Sequence, residues 1–561
     1  MKSLFKFSIV FFCVFFSRNV SSNDPVKMII NTTIKSDVCV YGASGAGINA
    51  AIAAAREGYS VIIIEPAHKI GGLLASGFRV QQDVPYADHL GGLTKYYYEQ
   101  DILQPKPRHH QSAGKNNVAI LQSMLDVYGD RIKVITDYRL ASVKKTNDAI
   151  KDAIFEYAPF GKDGVPIPVG TKDNQIIVNA IMYVDASYEG DLMAYSGVPY
   201  RVGKESKQDY GESLAGTVVS KKFPGVDPYV VEGDPGSGLL SCITSDPLGK
   251  EGDSSRFFMA YNFKLAWEIH PTPEHPGILI TPPRIKNKDV YELLRRYVKA
   301  GYSFTWPYDN FARSELMTGT LPGMQIDYPD SEWTTRSKVW QGFIDHVRIL
   351  SDFSGKEVRL VSDCNEDTDG WPFLYIRGGR RMVGEYVMTQ QDLQLQTAPP
   401  TPVGLGYYPV DIYPNRLVVL EGGILAHEGE VWEHVSPGPY QLPYGAIIPK
   451  KSDCTNLLVP FCMSASHVAY SSIRMEATYM VLGESAGIAA ALAIKQNKAV
   501  QDVDRKELTD LVKQYGQRIE WDGYGYRTWR YNILSKPIPQ TFRWEKHPDE
   551  YRKHPVEKLR K

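Results

Sequence analysis

An excess of charge of either sign is missing from this chain. Lysine plus arginine number 63 and aspartate plus glutamate 64, a net charge of −1. With no basic stripe and no RNA-binding motif, the sequence argues against a nucleic-acid partner. Cysteine is scarce as well, at six in 561 residues, with Cys13 inside an N-terminal apolar segment. The other five (Cys39, Cys242, Cys364, Cys454 and Cys462) are odd in number and lack paired spacing, which excludes a disulfide framework or a zinc site. Cys454 with Cys462 is only a weak candidate for a bridge. Long apolar runs are lacking too. Residues 7–16 form a ten-residue apolar core, whereas a helix needs about 20 to cross a bilayer. No stable membrane span is expected. With Lys2 and Lys6 before it, and Val20 and Ser22 after it, that core reads as a signal peptide over residues 1–22. The mature chain is then exported, secreted or extracytoplasmic, starting at Asn23.

Metal-ligating clusters are equally thin. His109 and His110 are adjacent and cannot easily face one ion. Residues 365–370, NEDTDG, mimic half of a calcium loop, but Ile376 stands where a bidentate acid is needed. No metal is expected. Asn31-Thr32-Thr33 is a glycosylation sequon, meaningful only in a eukaryotic source.

What the chain does have is concentrated in residues 37–65, DVCVYGASGAGINAAIAAAREGYSVIIIE. A buried apolar strand leads into the turn GASGAG, then a small-residue helix ended by Gly58, then a second apolar strand carrying Glu65 at its end. These are the parts of a βαβ dinucleotide fold. Gly42 allows the sharp exit from the strand, and Gly47 allows close packing of the helix. The first amides of the helix, over Gly45 and Ala46, can hold a pyrophosphate. Glu65 can accept from both ribose hydroxyls, and an acid there disfavours a 2′-phosphate. Ser44 stands where the fingerprint has its middle glycine.

Four further blocks follow: residues 70–77 (IGGLLASG), 183–206 (YVDASYEGDLMAYSGVPYRVGKES), 375–392 (YIRGGRRMVGEYVMTQQD) and 465–493 (ASHVAYSSIRMEATYMVLGESAGIAAALA). With the first unit they resemble the glutathione-reductase-like family of FAD-dependent oxidoreductases, in the secreted branch often labelled xanthan lyases. The resemblance implies an α/β fold: a discontinuous Rossmann-like FAD-binding domain with an inserted α+β substrate or cap domain. It implies FAD as cofactor, with Gly71 and Gly72 beside its phosphates. Asp185, Ala186, Ser187 and Asp191 form the second contact motif, in which Ser187 replaces a threonine and Tyr188 a glycine. Gly483 and Gly487 are placed on a flavin-facing helix over residues 471–495.

Domain boundaries are expected at 23–202 for the first part of the FAD domain, 203–439 for the cap and 440–503 for its return. A polar tail follows over 504–561. Within the cap, helices are expected over 290–300 and 331–350. The second carries Trp333 and Trp340, either as core or as flat faces for a sugar ring. Residues 132–157 and 175–184 alternate as a β-meander.

Candidate catalytic groups fall in three places. Arg377 and Arg381, with Arg380 between them, flank Gly378-Gly379 and offer planar donors. Tyr408 and Asp411 form a polar pair in an apolar loop. His467, just before the flavin-facing helix, is a candidate general base. Hydride transfer from a small organic or carbohydrate-like substrate to flavin, with an unidentified electron acceptor, is the first reading. A polysaccharide lyase or glycan-binding protein with structural or absent flavin is the alternative, with His467 as base and the arginines neutralising a carboxylate.

Overall fold

The computed structural model describes residues 30–77, 84, 89–101, 114–307, 316 and 318–521. The signal segment and the His109-His110 pair lie outside the described residues. Strand β1 (Ile30–Tyr41) passes through the glycine turn into helix α1 (Gly45–Arg56) and strand β2 (Val61–Ile64). Ser44 caps the helix, its side chain accepting from the Gly47 amide. Val38 to Ala55 are fully or almost fully buried, as a parallel unit covered on both faces requires.

Around β1 a seven-stranded sheet assembles. β1 is parallel both to β2 and to the long strand Thr171–Asp185, and β2 is parallel to Ile132–Ile135. Tyr138–Thr146 and Ala149–Tyr157 add an antiparallel ribbon to Thr171–Asp185, and Leu457–Leu458 returns to pair its end. The meander expected over 132–157 therefore starts one strand later. Ile132–Ile135 follows the crossover helix Gly114–Asp126, and a crossover connection delivers a parallel neighbour rather than a hairpin.

The helix expected over 471–495 is two helices, His467–Ile473 and Glu476–Gln496, broken at Arg474 and Met475. At the break the Arg474 guanidinium is drawn into hydrogen bonds with Tyr375 and Asp411. Glu476–Gln496 is the one described helix long and apolar enough to cross a membrane, and 94% of its apolar window is buried inside the protein. It lies against α1. A Cβ on Gly483 would stand 2.1 Å from the Ala46 carbonyl oxygen, and one on Gly487 would stand 2.2 Å from that of Ala50. Those two glycines let two helix backbones touch. The resemblance assigned them to the flavin; the structure assigns them to this contact. Buried Glu484 fastens the pair, accepting from Arg56, the Leu93 amide and Gln517.

A second core occupies the inserted region. Phe223, Tyr261, Leu293, Trp306, Phe343 and Val347 belong to it, built on helices Lys288–Lys299 and Trp333–Ser354. Val403, Val410 and Ile412 pack instead with the first core. The segment after Asp504 opens with helix Arg505–Gln514, whose Leu508 and Val512 are buried. The expected polar tail is thus a packed helix at its start; residues 522–561 lie outside the described residues.

Replacing Gly487 by alanine should destabilise the fold by about 1–3 kcal/mol, the usual cost of overpacking, although the same change in an exposed helix would gain about 1 kcal/mol. Urea unfolding of the variant checks the sign.

Candidate functional site

The carboxyl ends of β1, β2 and Thr171–Asp185 open onto a cavity. Gly42, Ser44, Glu65, Ala67, Gly72 and Ala186 to Glu189 line one side, and Phe160, Trp333, Trp340, Phe373 and Ile376 the other. Ligands of open α/β sheets bind at such a crevice. Gly42 has φ +96°, and a Cβ there would lie 2.7 Å from the Ala186 carbonyl oxygen, so only glycine fits. The Ser44 hydroxyl donates to the same carbonyl at 2.8 Å, which ties the glycine turn to the second motif.

Glu65 stands at the end of β2, where the sequence places a ribose acceptor. Its Oε2 accepts from the Ala43 amide at 2.5 Å and its Oε1 from the Ala67 amide at 2.8 Å. Each oxygen keeps a lone pair for a hydroxyl. Burial pushes its pKa up to about 8, and the two amides only partly offset that.

The second motif is used differently from the family pattern. Asp185 closes its own turn, accepting from the Ser187 amide and hydroxyl and from the Met193 amide. Asp191 is buried and held by two cap arginines: Arg336 binds both its oxygens at 2.6 and 2.8 Å, and Arg380 adds a third bond at 2.6 Å. Those guanidiniums hold the carboxyl below its ordinary value. The sequence reading gave Asp191 to the cofactor; here both of its oxygens are taken by Arg336 and Arg380. Tyr188, at a glycine position of the family motif, donates to Glu476 and accepts from the Leu73 amide at 2.7 Å. A Cβ on Gly72 would meet the Tyr188 hydroxyl at 2.4 Å, while Gly71 sits at φ +99° beside Ala75 and Leu121.

The arginine block divides three ways. Arg377 donates to Asn262 at 2.6 Å and lies 3.7 Å above the Tyr413 ring. Arg380 goes to Asp191. Arg381 donates to Glu205 at 2.6 Å and to the carbonyls of Gly203 and Ala465. His467 joins that last group, its Nδ1 2.8 Å from Glu205 and its own amide donating to the same oxygen. Burial lowers the imidazole pKa, and Arg381 adds to the effect of burial against the attraction of Glu205. His467 is absent from the cavity lining. Through Glu205 it braces the first turn of its helix.

Asp411 and Tyr408 also separate. The Tyr408 ring meets Trp432 edge-on at 6.2 Å, and its carbonyl accepts from Ser472. Asp411, on strand Val410–Ile412, pairs with Arg474 at 3.1 Å. Arg474 also donates to the Tyr375 hydroxyl at 2.8 Å. Arg377 lies 4.5 Å and Lys264 5.3 Å from the Tyr375 ring. Three cations and one acid thus gather around Tyr375, whose neighbours Leu374 and Ile376 line the cavity. Sequence reasoning missed Arg474, Lys264 and Tyr375 in this group; the only signal was that Tyr375 and Arg474 fall inside two of the family blocks, and Lys264 lies outside all of them. Lys69 Nζ bonds Asn365 and Asp367, placing an ammonium on the calcium-loop mimic. All five cysteines of the described residues are free.

A family model described as "FAD dependent oxidoreductase" matches residues 37–512. The chain belongs to this family. Its cofactor is FAD. No curated protein matches. Among solved structures, a geranylgeranyl bacteriochlorophyll reductase-like protein of Thermoplasma acidophilum is 15% identical, covering 30% of this chain and 43% of its own, at TM-score 0.19. Thioredoxin reductase of the same organism is 19% identical over 32% and 39%, at TM-score 0.17. THI4 of Thermovibrio ammonificans is 14% identical over 30% and 66%, at TM-score 0.21. The chain covers less than half of the first two.

The site suits FAD. The Gly45 and Ala46 amides at the start of α1 would hold the pyrophosphate, and Glu65 the ribose. The indole Nε1 groups of Trp333 and Trp340 are buried cavity donors with no hydrogen-bond partner among the described residues. Such donors are costly unless a ligand or water satisfies them. The Trp pair, weighed in the sequence as core or sugar platform, thus faces the cofactor cavity.

Replacing Glu65 by alanine should weaken FAD binding at least about tenfold, since a charge-assisted hydrogen bond contributes about 1.5–3 kcal/mol. Wild-type affinity should also rise as pH climbs towards about 8 and level off above it, because the ionised carboxylate is the better acceptor and ribose hydroxyls lower its pKa. Titration of apoprotein across pH checks both. For His467→Ala the expected loss is in stability, about 1–3 kcal/mol from leaving Glu205 short of a donor. FAD occupancy should survive, and thermal melting beside flavin absorbance checks this.

Proposed function

We propose that this protein is an exported FAD-dependent oxidoreductase that oxidises a small hydroxylated substrate bearing an anionic group, such as a hydroxy acid or sugar acid, by hydride transfer. The observation that carries the reading is the convergence of Arg377, Arg474 and Lys264 on Tyr375 beside the cofactor cavity. Guanidinium forks match carboxylates in a bidentate way that an ammonium cannot. Asp411, oriented by Arg474, is the group suited to take the hydroxyl proton as the adjacent carbon loses hydride. FAD, when bound, supplies the acceptor for the electron pair. Buried Tyr375 and partly buried Tyr413 limit the water that would otherwise compete for the guanidiniums. Export is supported by the basic start and ten-residue apolar core of the sequence. The lyase alternative would leave the FAD-binding unit, matched by the family over residues 37–512, without a use.

Anaerobic bleaching of the flavin, screened against hydroxy acids, sugar acids, neutral sugars and amines, tests the substrate class. The reading expects anionic alcohols to reduce the enzyme and neutral sugars to lag. Replacing Arg474 by methionine should then cut kcat/KM for the best substrate by roughly 10–150-fold, equivalent to about 1.5–3 kcal/mol for a charged hydrogen bond, with FAD retained. Equal reduction by neutral sugars, or an unchanged rate in the variant, would sink the proposal.

A further inference from the structure

The Trp333–Ser354 helix presents a second face to a second cavity. Trp333 and Trp340 look onto the cofactor site, whereas Lys338, Gln341, Asp345, His346 and Ile349 line a separate, partly open space of about 690 Å³. The remaining walls come from the loop after Ala149–Tyr157, the start of Lys288–Lys299, and residues 321 and 324. That volume is within the range of about 300–1,000 Å³ typical of small-molecule sites.

Half of the lining residues are apolar, and the apolar surface continues outward. Val169 and Ile285 on its rim are 64% and 73% exposed. Exposed aliphatic side chains contiguous with an open cavity mark a binding surface more often than scattered ones do. Inside the helix, Gly342 also lines the cavity. A helix-interior glycine costs about 1 kcal/mol relative to alanine, and here a Cβ would stand 3.2 Å from Met324 Sδ.

Three buried polar atoms of this wall have no hydrogen-bond partner among the described residues: Gln341 Nε2 and Asp345 Oδ1, whose side chains act on each other, and His346 Nδ1, which has no such neighbour. His346 is 1% exposed, and its Nε2 lies 2.7 Å from the Thr318 carbonyl oxygen. A carbonyl only accepts, so Nε2 carries the proton. Burial lowers the imidazole pKa to about 4, so the ring is neutral at pH 7 and Nδ1 is a bare acceptor. Nδ1 is buried and has no hydrogen-bond partner among the described residues. An acceptor in that position asks for a donor from the occupant.

We propose that this cavity binds a largely apolar alcohol or phenol whose hydroxyl donates to His346 Nδ1. The chemistry is selective. A hydrocarbon of the same shape leaves Nδ1 unanswered, and a quinone brings only acceptors to it. The site does not depend on the reading of the catalytic cluster around Tyr375, since no residue is shared between them.

Calorimetric titration of the FAD-saturated full-length protein with 2-naphthol, naphthalene and 1,4-naphthoquinone tests this directly. The proposal expects 2-naphthol to bind about 5–10-fold more tightly than naphthalene, the factor corresponding to one net hydrogen bond of about 1 kcal/mol. Naphthoquinone, which offers no donor to Nδ1, should bind less tightly than 2-naphthol. In Met324→Trp, which fills the cavity, all binding should vanish while flavin content stays at the wild-type level. In His346→Phe the preference for naphthol over naphthalene should disappear. Binding that survives Met324→Trp lies elsewhere and overturns the proposal, as do equal affinities of naphthol and naphthalene in the wild type, or no binding of any probe. Should either variant fail to fold, the wild-type comparison of the three probes still decides.

Discussion

One buried ion group sets the geometry of everything that touches the cofactor. Asp191 begins the short helix after the second motif, deep in the nucleotide-binding domain, yet its partners Arg336 and Arg380 belong to the inserted region. All three are nearly or wholly buried. A buried charge left without its partner costs about 3–5 kcal/mol, so the two regions have little freedom to separate. Arg336 lies on the same helix as Trp333 and Trp340. Holding Arg336 therefore holds the indole pair over the cavity, and Arg380 fixes the loop that sends Arg377 to Tyr413 and Arg381 to Glu205.

From that junction the division of labour follows. The nucleotide-binding sheet supplies a glycine turn, two helix amides and Glu65, all carried by short-range structure. The inserted region supplies aromatic walls and the cluster of Arg377, Lys264, Tyr375 and Asp411. Arg474 joins them because the chain breaks helix between Ile473 and Glu476. The same helix that closes the cofactor cavity forms the wall of the cavity at His346. One rigid element thus borders two sites, with different side chains on each face.

The βαβ unit was legible because each part of it is local: strand, turn, helix and acid lie within 29 consecutive residues. Roles decided by distant partners were not. Gly483 and Gly487 are small because α1, more than 430 residues earlier, lies against them, and a small-residue stripe looks the same whether it faces a helix or a flavin. Asp191 sits where the family motif meets the cofactor, and nothing near it announces arginines 145 and 189 residues away. His467 had the right chemistry and a suggestive place, but its partner Glu205 lies 262 residues earlier and could not be read from its neighbours. The Trp pair was visible as aromatic bulk, and only the fold tells which cavity it lines.

Replacing Asp191 by asparagine separates the two accounts of that residue most directly. Amide hydrogen exchange and FAD affinity would be measured on the same variant. The junction account predicts faster exchange in helix Trp333–Ser354, unchanged protection in α1 and Glu476–Gln496, and weaker FAD binding as a consequence. Weaker FAD binding with exchange in Trp333–Ser354 unchanged would contradict it, and would return Asp191 to direct contact with the cofactor.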